Sequence, residues 1–300
     1  MNWDFLNPRI QSLSGNFINK YNIQIDVLRL DEIHPLISGN KWFKLKHNVS
    51  EYYKGNYKGM LSFGGAFSNH LAALSYLTSA FKIPTTAVVR GEDGLLKSTP
   101  TLEFLKENGT HLKFITRSEF KLRHEISFLQ KLKNEFPDYY FIPEGGSNVL
   151  GVKGCMDIAS FIKNTYDILC VSVGTSTTLK GLLLSELNIN SFLGFSSLKG
   201  EDLISKEISD FLNEKKINRF VRIINQYHFG GFGKYTPELI NFMKEFKEDY
   251  GIETDIVYTS KMFFGLRDLI IKGDIKPGSR IIAIHTGGLQ GNIAIKSLFQ

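Results

Sequence analysis

Gly59-Met60-Leu61-Ser62-Phe63-Gly64-Gly65-Ala66-Phe67-Ser68-Asn69-His70-Leu71-Ala72-Ala73-Leu74-Ser75-Tyr76-Leu77 is the stretch on which the reading of the fold turns. Its first five residues form an apolar run of strand length, and 71–77 has helical spacing. A glycine pair forces a tight turn between them. Strand, glycine turn and helix in this order aim free backbone N–H groups at whatever lies beyond the strand end.

Working outward, the same alternation recurs. Upstream, 23–30 is rich in β-branched and aliphatic residues and reads as a strand. From Trp42 the positions Trp42, Leu45, Val49, Tyr52 and Tyr53 recur at helical spacing until Gly55 closes the helix. Downstream come a strand at 84–89, a helix at 101–108 stopped by Gly109, a strand at 111–115, one long helix at 117–134 and a strand at 139–142. Pro143-Glu144-Gly145-Gly146-Ser147-Asn148 interrupts as a candidate domain crossing. A further unit follows: strand 168–173, the loop Gly174-Thr175-Ser176-Thr177-Thr178 and helix 179–187. Strands at 192–195, 220–224 and 281–284 complete the series. Strand and helix in turn at this pitch predict an α/β protein with parallel sheets covered on both faces. No internal repeat or low-complexity tract appears.

Composition narrows the class. A hydrophobic fraction of 42% over 300 residues is enough for one large domain or two smaller ones. No apolar run approaches the roughly 20 residues that span a bilayer, and Met1-Asn2-Trp3-Asp4-Phe5 has neither a basic lead nor a signal-type core. A cytoplasmic protein with no membrane partner is expected. The excess of 36 Lys and Arg over 30 Asp and Glu is spread along the chain. Segments such as 44–58 and 121–133 interleave bases with apolar residues as solvated helix faces do, and no nucleic-acid motif accompanies them. A modest positive field suits a small anionic ligand instead. Cys155 and Cys170 stand apart, with no CxxC spacing and no neighbouring His, so neither a metal site nor a disulfide is expected.

Three strand-exit loops carry the chemistry: 64–69, 174–178 and 285–288. In open α/β sheets ligands sit beyond the carboxyl ends of strands, so the three are expected to line one crevice. None has the spacing of a dinucleotide or nucleoside-triphosphate loop. Gly174 to Thr178 offers backbone N–H groups and four hydroxyls without a lysine, which suits a terminal phosphate monoester; it also reads as a plain turn rich in helix caps. One further stretch bears on the ligand. In Ser38-Gly39-Asn40-Lys41-Trp42-Phe43-Lys44-Leu45 a small-residue turn delivers Lys41 to the mouth of a helix, where a desolvated amine can form a Schiff base with an aldehyde cofactor. An ordinary turn before an amphipathic helix would look the same in isolation.

Taken together these pieces resemble the pyridoxal-phosphate enzymes of the tryptophan-synthase β-like fold, fold type II, and most closely the family of 1-aminocyclopropane-1-carboxylate deaminase and D-cysteine desulfhydrase. The resemblance is carried in order by Gly39-Asn40-Lys41 with Lys44-Leu45, Gly64-Gly65 with Ser68-Asn69, Pro143 with Gly145 and Ser147, Gly174 to Thr178, Asp255 to Lys261, and His285 to Gly288. It implies two three-layer parallel-sheet domains, with 1–45 plus 145–300 as the larger, cofactor-binding one and 46–144 as the smaller, mobile one. It implies pyridoxal 5'-phosphate as cofactor, a small amino acid as substrate and a homodimer. Lys41 would carry the cofactor, and Ser68 would act beside the reactive carbons as acid, base or nucleophile. Asn69 would bond the ring oxygen, and the amides of Ser68, Asn69 and His70 would take the substrate carboxylate. Gly174, Thr175, Ser176, Thr177 and Thr178 would hold the phosphate, and Tyr258, a catalytic residue with Lys41 and Ser68, would pack against or hydrogen-bond the substrate and cofactor.

Two positions bear on the choice within the family. Thr259 stands where deaminases carry glutamate, and Thr286 where they carry leucine; desulfhydrase-like members have Ser or Thr at both. A neutral hydroxyl at the pyridine nitrogen makes a weaker electron sink than a carboxylate. Such a sink suits α,β-elimination of a thiolate from D-cysteine, giving pyruvate, ammonia and sulfide, better than opening a cyclopropane ring to 2-oxobutyrate and ammonia. Alignment places Phe229 where the deaminases have a second active-site tyrosine, with Tyr227 or Tyr235 as substitutes. The alternatives are a deaminase proper, a β-replacement enzyme of cysteine-synthase type and, from a different class, a non-catalytic anion or nucleotide binder.

Overall fold

The predominantly apolar runs of the sequence become the inner strands of two sheets in the computed structural model, which describes residues 6–92, 98–200 and 203–299. In chain order the elements are β1 (Ile10–Ser12), α1 (Asn16–Tyr21), β2 (Gln24–Arg29), α2 (Asn40–Lys54), β3 (Gly59–Gly65), α3 (Asn69–Ala80) and β4 (Thr85–Arg90). Next come α4 (Pro100–Glu107), β5 (His111–Ile115), α5 (Arg117–Lys121), α6 (Ile126–Glu135), β6 (Tyr139–Ile142) and α7 (Val149–Met156). The chain ends through β7 (Tyr166–Val173), α8 (Thr177–Leu184), β8 (Ile189–Ser196), α9 (Leu203–Lys215), β9 (Phe220–Ile224), α10 (Pro237–Tyr250), α11 (Thr259–Ile271) and β10 (Arg280–His285). Two compact units result, residues 1–40 with 155–300 and residues 41–154. The chain leaves the first within α2 and returns to it within α7.

The first unit is built on a six-stranded sheet of order β1-β2-β10-β7-β8-β9. Every pairing in it is parallel except β1 with β2, where Ile10 lies opposite Leu28. β10 is central, with Ile281 in register with Ile25 on one side and Ile168 on the other. Ile281, Ile282, Ala283 and Ile284 are all fully buried, as a parallel strand covered on both faces requires. On one face Ile25, Val27, Cys170, Leu193 and Ala283 pack with Leu239, Met243 and Phe246 of α10 and with Met262, Phe263 and Leu266 of α11. Each of the larger aliphatic and aromatic side chains among them contributes roughly 1.5–3 kcal/mol of burial.

The second unit carries a four-stranded, all-parallel sheet of order β5-β4-β3-β6. Alternation along β4 feeds two cores: Val88 joins Leu61, Phe63 and Phe128, whereas Ala87 and Val89 join Leu71 of α3 and Leu102 and Leu105 of α4. Both units are therefore α/β layers on parallel strands. No helix among the described residues is long and apolar enough to cross a membrane.

Two sequence expectations need correction. The long helix expected over 117–134 is two helices. A capping box between Thr116 and Glu119 starts α5, and the carbonyl of Phe120, which the next turn would need, accepts from Arg123 instead. The Arg123 guanidinium also pairs with Glu144 at 2.7 Å, so the chain turns and restarts at Ile126. The polar start of the chain, in turn, hides β1. This edge strand is held by polar side chains rather than by an apolar pattern: Ser12 donates to Asp26 at 2.6 Å, and Arg29 to Gln11 at 2.6 Å.

Candidate functional site

β7 delivers Gly174 to the N-terminus of α8, and the turn there is tightly constrained. A Cβ on Gly174 would lie 3.0 Å from the Tyr258 ring, a tight contact that the ring would have to yield to. Ser176 sits in the left-handed region at φ 54, ψ −14. The four hydroxyls read from the sequence are not four equal donors. Ser176 Oγ donates to Glu207 at 2.8 Å, and Thr177 Oγ1 donates back to the carbonyl of Thr175 at 3.1 Å while also meeting Thr175 Oγ1 at 3.0 Å. Thr178 Oγ1 accepts from Asn40 Nδ2 at 2.9 Å and keeps its own proton to give. The main-chain N–H groups of Ser176, Thr178 and Leu179 meet no acceptor among the described residues, as expected for a first helical turn.

Asn40 ties this turn to the exit of β10, because its own N–H donates to the carbonyl of Thr286 at 3.2 Å. The preceding Gly39 has φ 68, and a side chain there would reach within 1.9 Å of the same carbonyl oxygen. Only glycine lets the two segments come this close. His285, fully buried, fixes the loop from behind: Nε2 donates to the Glu253 carbonyl at 2.7 Å, and Nδ1 lies 3.1 Å from the Asp31 carboxylate, itself gripped by Arg29 at 2.6 Å. The hydroxyl of Thr286 makes no hydrogen bond among the described residues. Asn40 was legible as part of Gly-Asn-Lys, but not as the clamp.

Tyr258 and Thr259 are placed by Asp255, whose buried carboxylate collects the N–H groups of Val257 and Tyr258 at 3.0 Å and both the N–H and hydroxyl of Thr259 at 2.7 Å. Thr259 Oγ1 accepts in return from the Asp255 N–H at 2.7 Å. Its proton is spent, so the Thr259 hydroxyl has no donor to offer a ring nitrogen. The residue acts as a clamp at the start of α11.

The loop after β9 holds a second departure from the sequence reading. Phe229, at φ 51, packs edge-on against Phe264 in the core at 5.0 Å, while Phe232 meets the edge of Tyr258 at 5.9 Å. Phe232, not Phe229, is thus the loop aromatic beside Tyr258. The Tyr227 hydroxyl donates to Asp268, and burial raises its pKa. Tyr235 is an exposed residue of the same loop. Lys261, only 1% exposed, staples the loop through bonds to the carbonyls of His228 at 2.9 Å and Gly231 at 2.8 Å.

The second unit carries Lys41, Ser68, Asn69 and His70. Lys41 is the second residue of α2, directly after the clamped Asn40, and is half-buried. Lys44, grouped in the sequence with a solvated helix face, is buried instead. Ser68 caps α3 by accepting from the Leu71 N–H at 3.2 Å, which leaves the hydroxyl proton mobile. Half-buried Asn69 follows it as the first residue of the helix. His70 is buried, and Ser62 fixes its tautomer. Ser62 Oγ donates to the Ile142 carbonyl at 2.8 Å, so at 2.8 Å it accepts from Nε2–H, and Nδ1 is a bare acceptor without a partner. Burial first, then the charges of Lys41 and Lys44, push the His70 pKa down to about 3. The imidazole is neutral at any physiological pH.

No family model matches the chain. It is 27% identical over 278 residues to a Pyrococcus horikoshii protein provisionally named a 1-aminocyclopropane-1-carboxylate deaminase, covering 88% of this chain and 84% of the other. A mitochondrial bifunctional D-cysteine desulfhydrase/1-aminocyclopropane-1-carboxylate deaminase of Arabidopsis thaliana is 27% identical over 285 residues, 85% of this chain and 70% of that protein. Among solved structures, an ACC deaminase homologue superposes with a TM-score of 0.82 at 24% identity, over 99% of this chain and 94% of the other. A cysteine synthase from Entamoeba histolytica shares the fold, with a TM-score of 0.72 at 13% identity over 99% and 89% of the two chains. The resemblance first read from the ordered motifs is borne out across nearly the whole chain.

Proposed function

We propose that this chain, a relative of the 1-aminocyclopropane-1-carboxylate deaminase and D-cysteine desulfhydrase enzymes, is a pyridoxal-phosphate-dependent lyase. Its preferred reaction is elimination from D-cysteine or a related β-substituted D-amino acid, giving pyruvate, ammonia and sulfide. The observation that carries the choice is the hydroxyl of Thr286, which is uncommitted among the described residues, while the carboxylate of Asp255 is saturated by four donors. A neutral partner at a ring nitrogen keeps the electron sink modest, and a modest sink is enough to expel a thiolate.

The residues fit such a cofactor. The first turn of α8 offers unspent N–H groups and the Thr178 proton to a phosphate, and the helix dipole favours its charge. Thr286 would give one hydrogen bond to the cofactor ring, while Thr259 would act behind it by holding Tyr258 in place. When bound, pyridoxal phosphate supplies the electron sink that makes the substrate Cα–H acidic. Lys41 would hold the cofactor through its amine, and the same amine is the candidate general base for the Cα proton. Ser68, with its oxygen already fixed as a helix cap, moves a proton at the reacting carbons. Asn69 bonds the ring oxygen, and the amides of Ser68, Asn69 and His70 bind the substrate carboxylate. Tyr258 stacks against the ligand.

The names of the relatives favour a second reading, deamination of 1-aminocyclopropane-1-carboxylate to 2-oxobutyrate and ammonia. Product analysis on both enantiomers of cysteine and on the cyclopropane amino acid, with Lys41→Ala as blank, separates the two. Pyruvate and sulfide from D-cysteine are expected. Efficient 2-oxobutyrate formation with D-cysteine untouched would overturn the desulfhydrase assignment.

A further inference from the structure

Ser176 has the least comfortable backbone in the 174–178 turn, because φ 54 places its Cβ against the following peptide and glycine normally fills such positions. Something must hold it there. The side chain is 2% exposed and its hydroxyl donates to Oε2 of Glu207 on α9 at 2.8 Å. The other carboxylate oxygen of Glu207 accepts from Lys180 Nζ at 2.6 Å. Lys180 in turn donates its main-chain N–H to the Ser176 carbonyl at 2.9 Å, and its ammonium lies 5.2 Å from the ring of Phe211, one turn beyond Glu207. The contacts form a closed circuit: Ser176 to Glu207, Glu207 to Lys180, Lys180 back to Ser176.

We propose that Glu207 is a positioning residue for the cofactor phosphate, latching Ser176 in the left-handed conformation that keeps the first-turn N–H groups of α8 presented together. This rests on the reading of that turn as the phosphate seat. The direction of the Ser176 bond matters. Its proton goes to Glu207, so Ser176 serves the phosphate through its backbone, and its side chain serves the latch. Lys180 has a second effect, because it neutralises a carboxylate that would otherwise repel a dianion at the same helix end. An exposed Glu–Lys pair alone would contribute little, since solvent screens it. What distinguishes this one is its grip on a strained, buried residue.

The test is a spectrophotometric titration of the full chain, stripped of cofactor, with pyridoxal 5'-phosphate and in parallel with pyridoxal, which lacks the phosphate. Glu207→Ala, and Glu207→Gln as a second variant of preserved size, are compared in the native and Ser176→Gly backgrounds. Loss of the charge-assisted bond is expected to weaken pyridoxal phosphate binding about tenfold, with pyridoxal binding unchanged. In the Ser176→Gly background, where glycine needs no latch, the effect of Glu207→Ala should shrink below about twofold. If the Glu207 variants bind pyridoxal phosphate as tightly as the native chain, or lose both ligands equally in both backgrounds, the latch is wrong and the cofactor assignment stands. If the native chain takes up neither ligand, both fall.

Discussion

Asn40 donates from Nδ2 to Oγ1 of Thr178 at 2.9 Å, and its main-chain N–H reaches the Thr286 carbonyl at 3.2 Å. One buried residue thus joins the turn after β7 to the loop after β10, immediately before the lysine. Replacing it by alanine should cost about 1–2 kcal/mol in urea unfolding, because a buried polar partner is left unpaired. Asn40→Asp preserves size but brings a carboxylate to the N-terminus of α8. It should therefore lose more affinity for pyridoxal phosphate than Asn40→Ala, by titration of the absorbance band. Equal losses would argue that the turn does not hold an anion.

Thr259 and Thr286, on which the proposed preference for D-cysteine rests, should behave differently. Thr259→Val removes a donor and an acceptor from the buried Asp255 box, so a stability loss of about 2–3 kcal/mol is expected, with catalytic change following the fold. Thr286→Val deletes a hydroxyl with no partner among the described residues. Its unfolding free energy should stay within about 0.5 kcal/mol, while kcat for D-cysteine falls. A stable, fully active Thr286→Val enzyme would remove that residue from the ring nitrogen.

The alternation of apolar runs and glycine turns was enough to expose every inner strand, because a parallel strand buried on both faces is largely apolar, as Ile281 to Ile284 are. The edge strand β1 escaped that logic because its pairing rests on Ser12, Gln11 and Arg29, which carry no periodic signal. The same limit applied at the site. The motifs marked Thr259 and Thr286 as equivalent hydroxyls, and only the Asp255 contacts show which one has spent its proton. Phe229 and Phe232 lie three residues apart in a loop with positive φ at Phe229, Gly230, Gly231 and Gly233, so alignment alone could not tell which ring faces the core. Glu207 had no signal at all, since its partner Ser176 is 31 residues away.

Buried neutral His70 should leave a signature in acid. Its pKa is held at about 3 in the folded chain against 6.5 when free. Below pH 6.5 the unfolded chain takes up a proton that the folded chain refuses, so stability present above that pH is lost as pH falls toward 3. The slope from this one group is at most about 1.4 kcal/mol per pH unit. Urea unfolding of His70→Asn, compared with the native chain between pH 6.5 and 5, above the range where carboxylates titrate, should show a shallower fall. Parallel slopes would mean that His70 can charge in the folded state.

Lys261 predicts the mirror-image behaviour in base. Burial lowers its pKa to about 8 from 10.5, partly opposed by Asp255, while its ammonium bridges the carbonyls of His228 and Gly231. Between pH 8 and 10.5 the unfolded chain retains a proton that the folded chain has released, so this group makes stability rise with pH across that window. Below pH 8 the cost of burying the charge is constant. Lys261→Met should abolish the rise, seen as the difference between variant and native unfolding free energies so that titrating tyrosines cancel. Methionine also cannot bridge the two carbonyls, so the loop carrying Phe232 should loosen, and amide exchange at Gly230 and Gly231 should accelerate. Faster exchange with KM for D-cysteine raised and kcat little changed would place the loop at substrate binding; unchanged KM would leave Lys261 with a purely structural role.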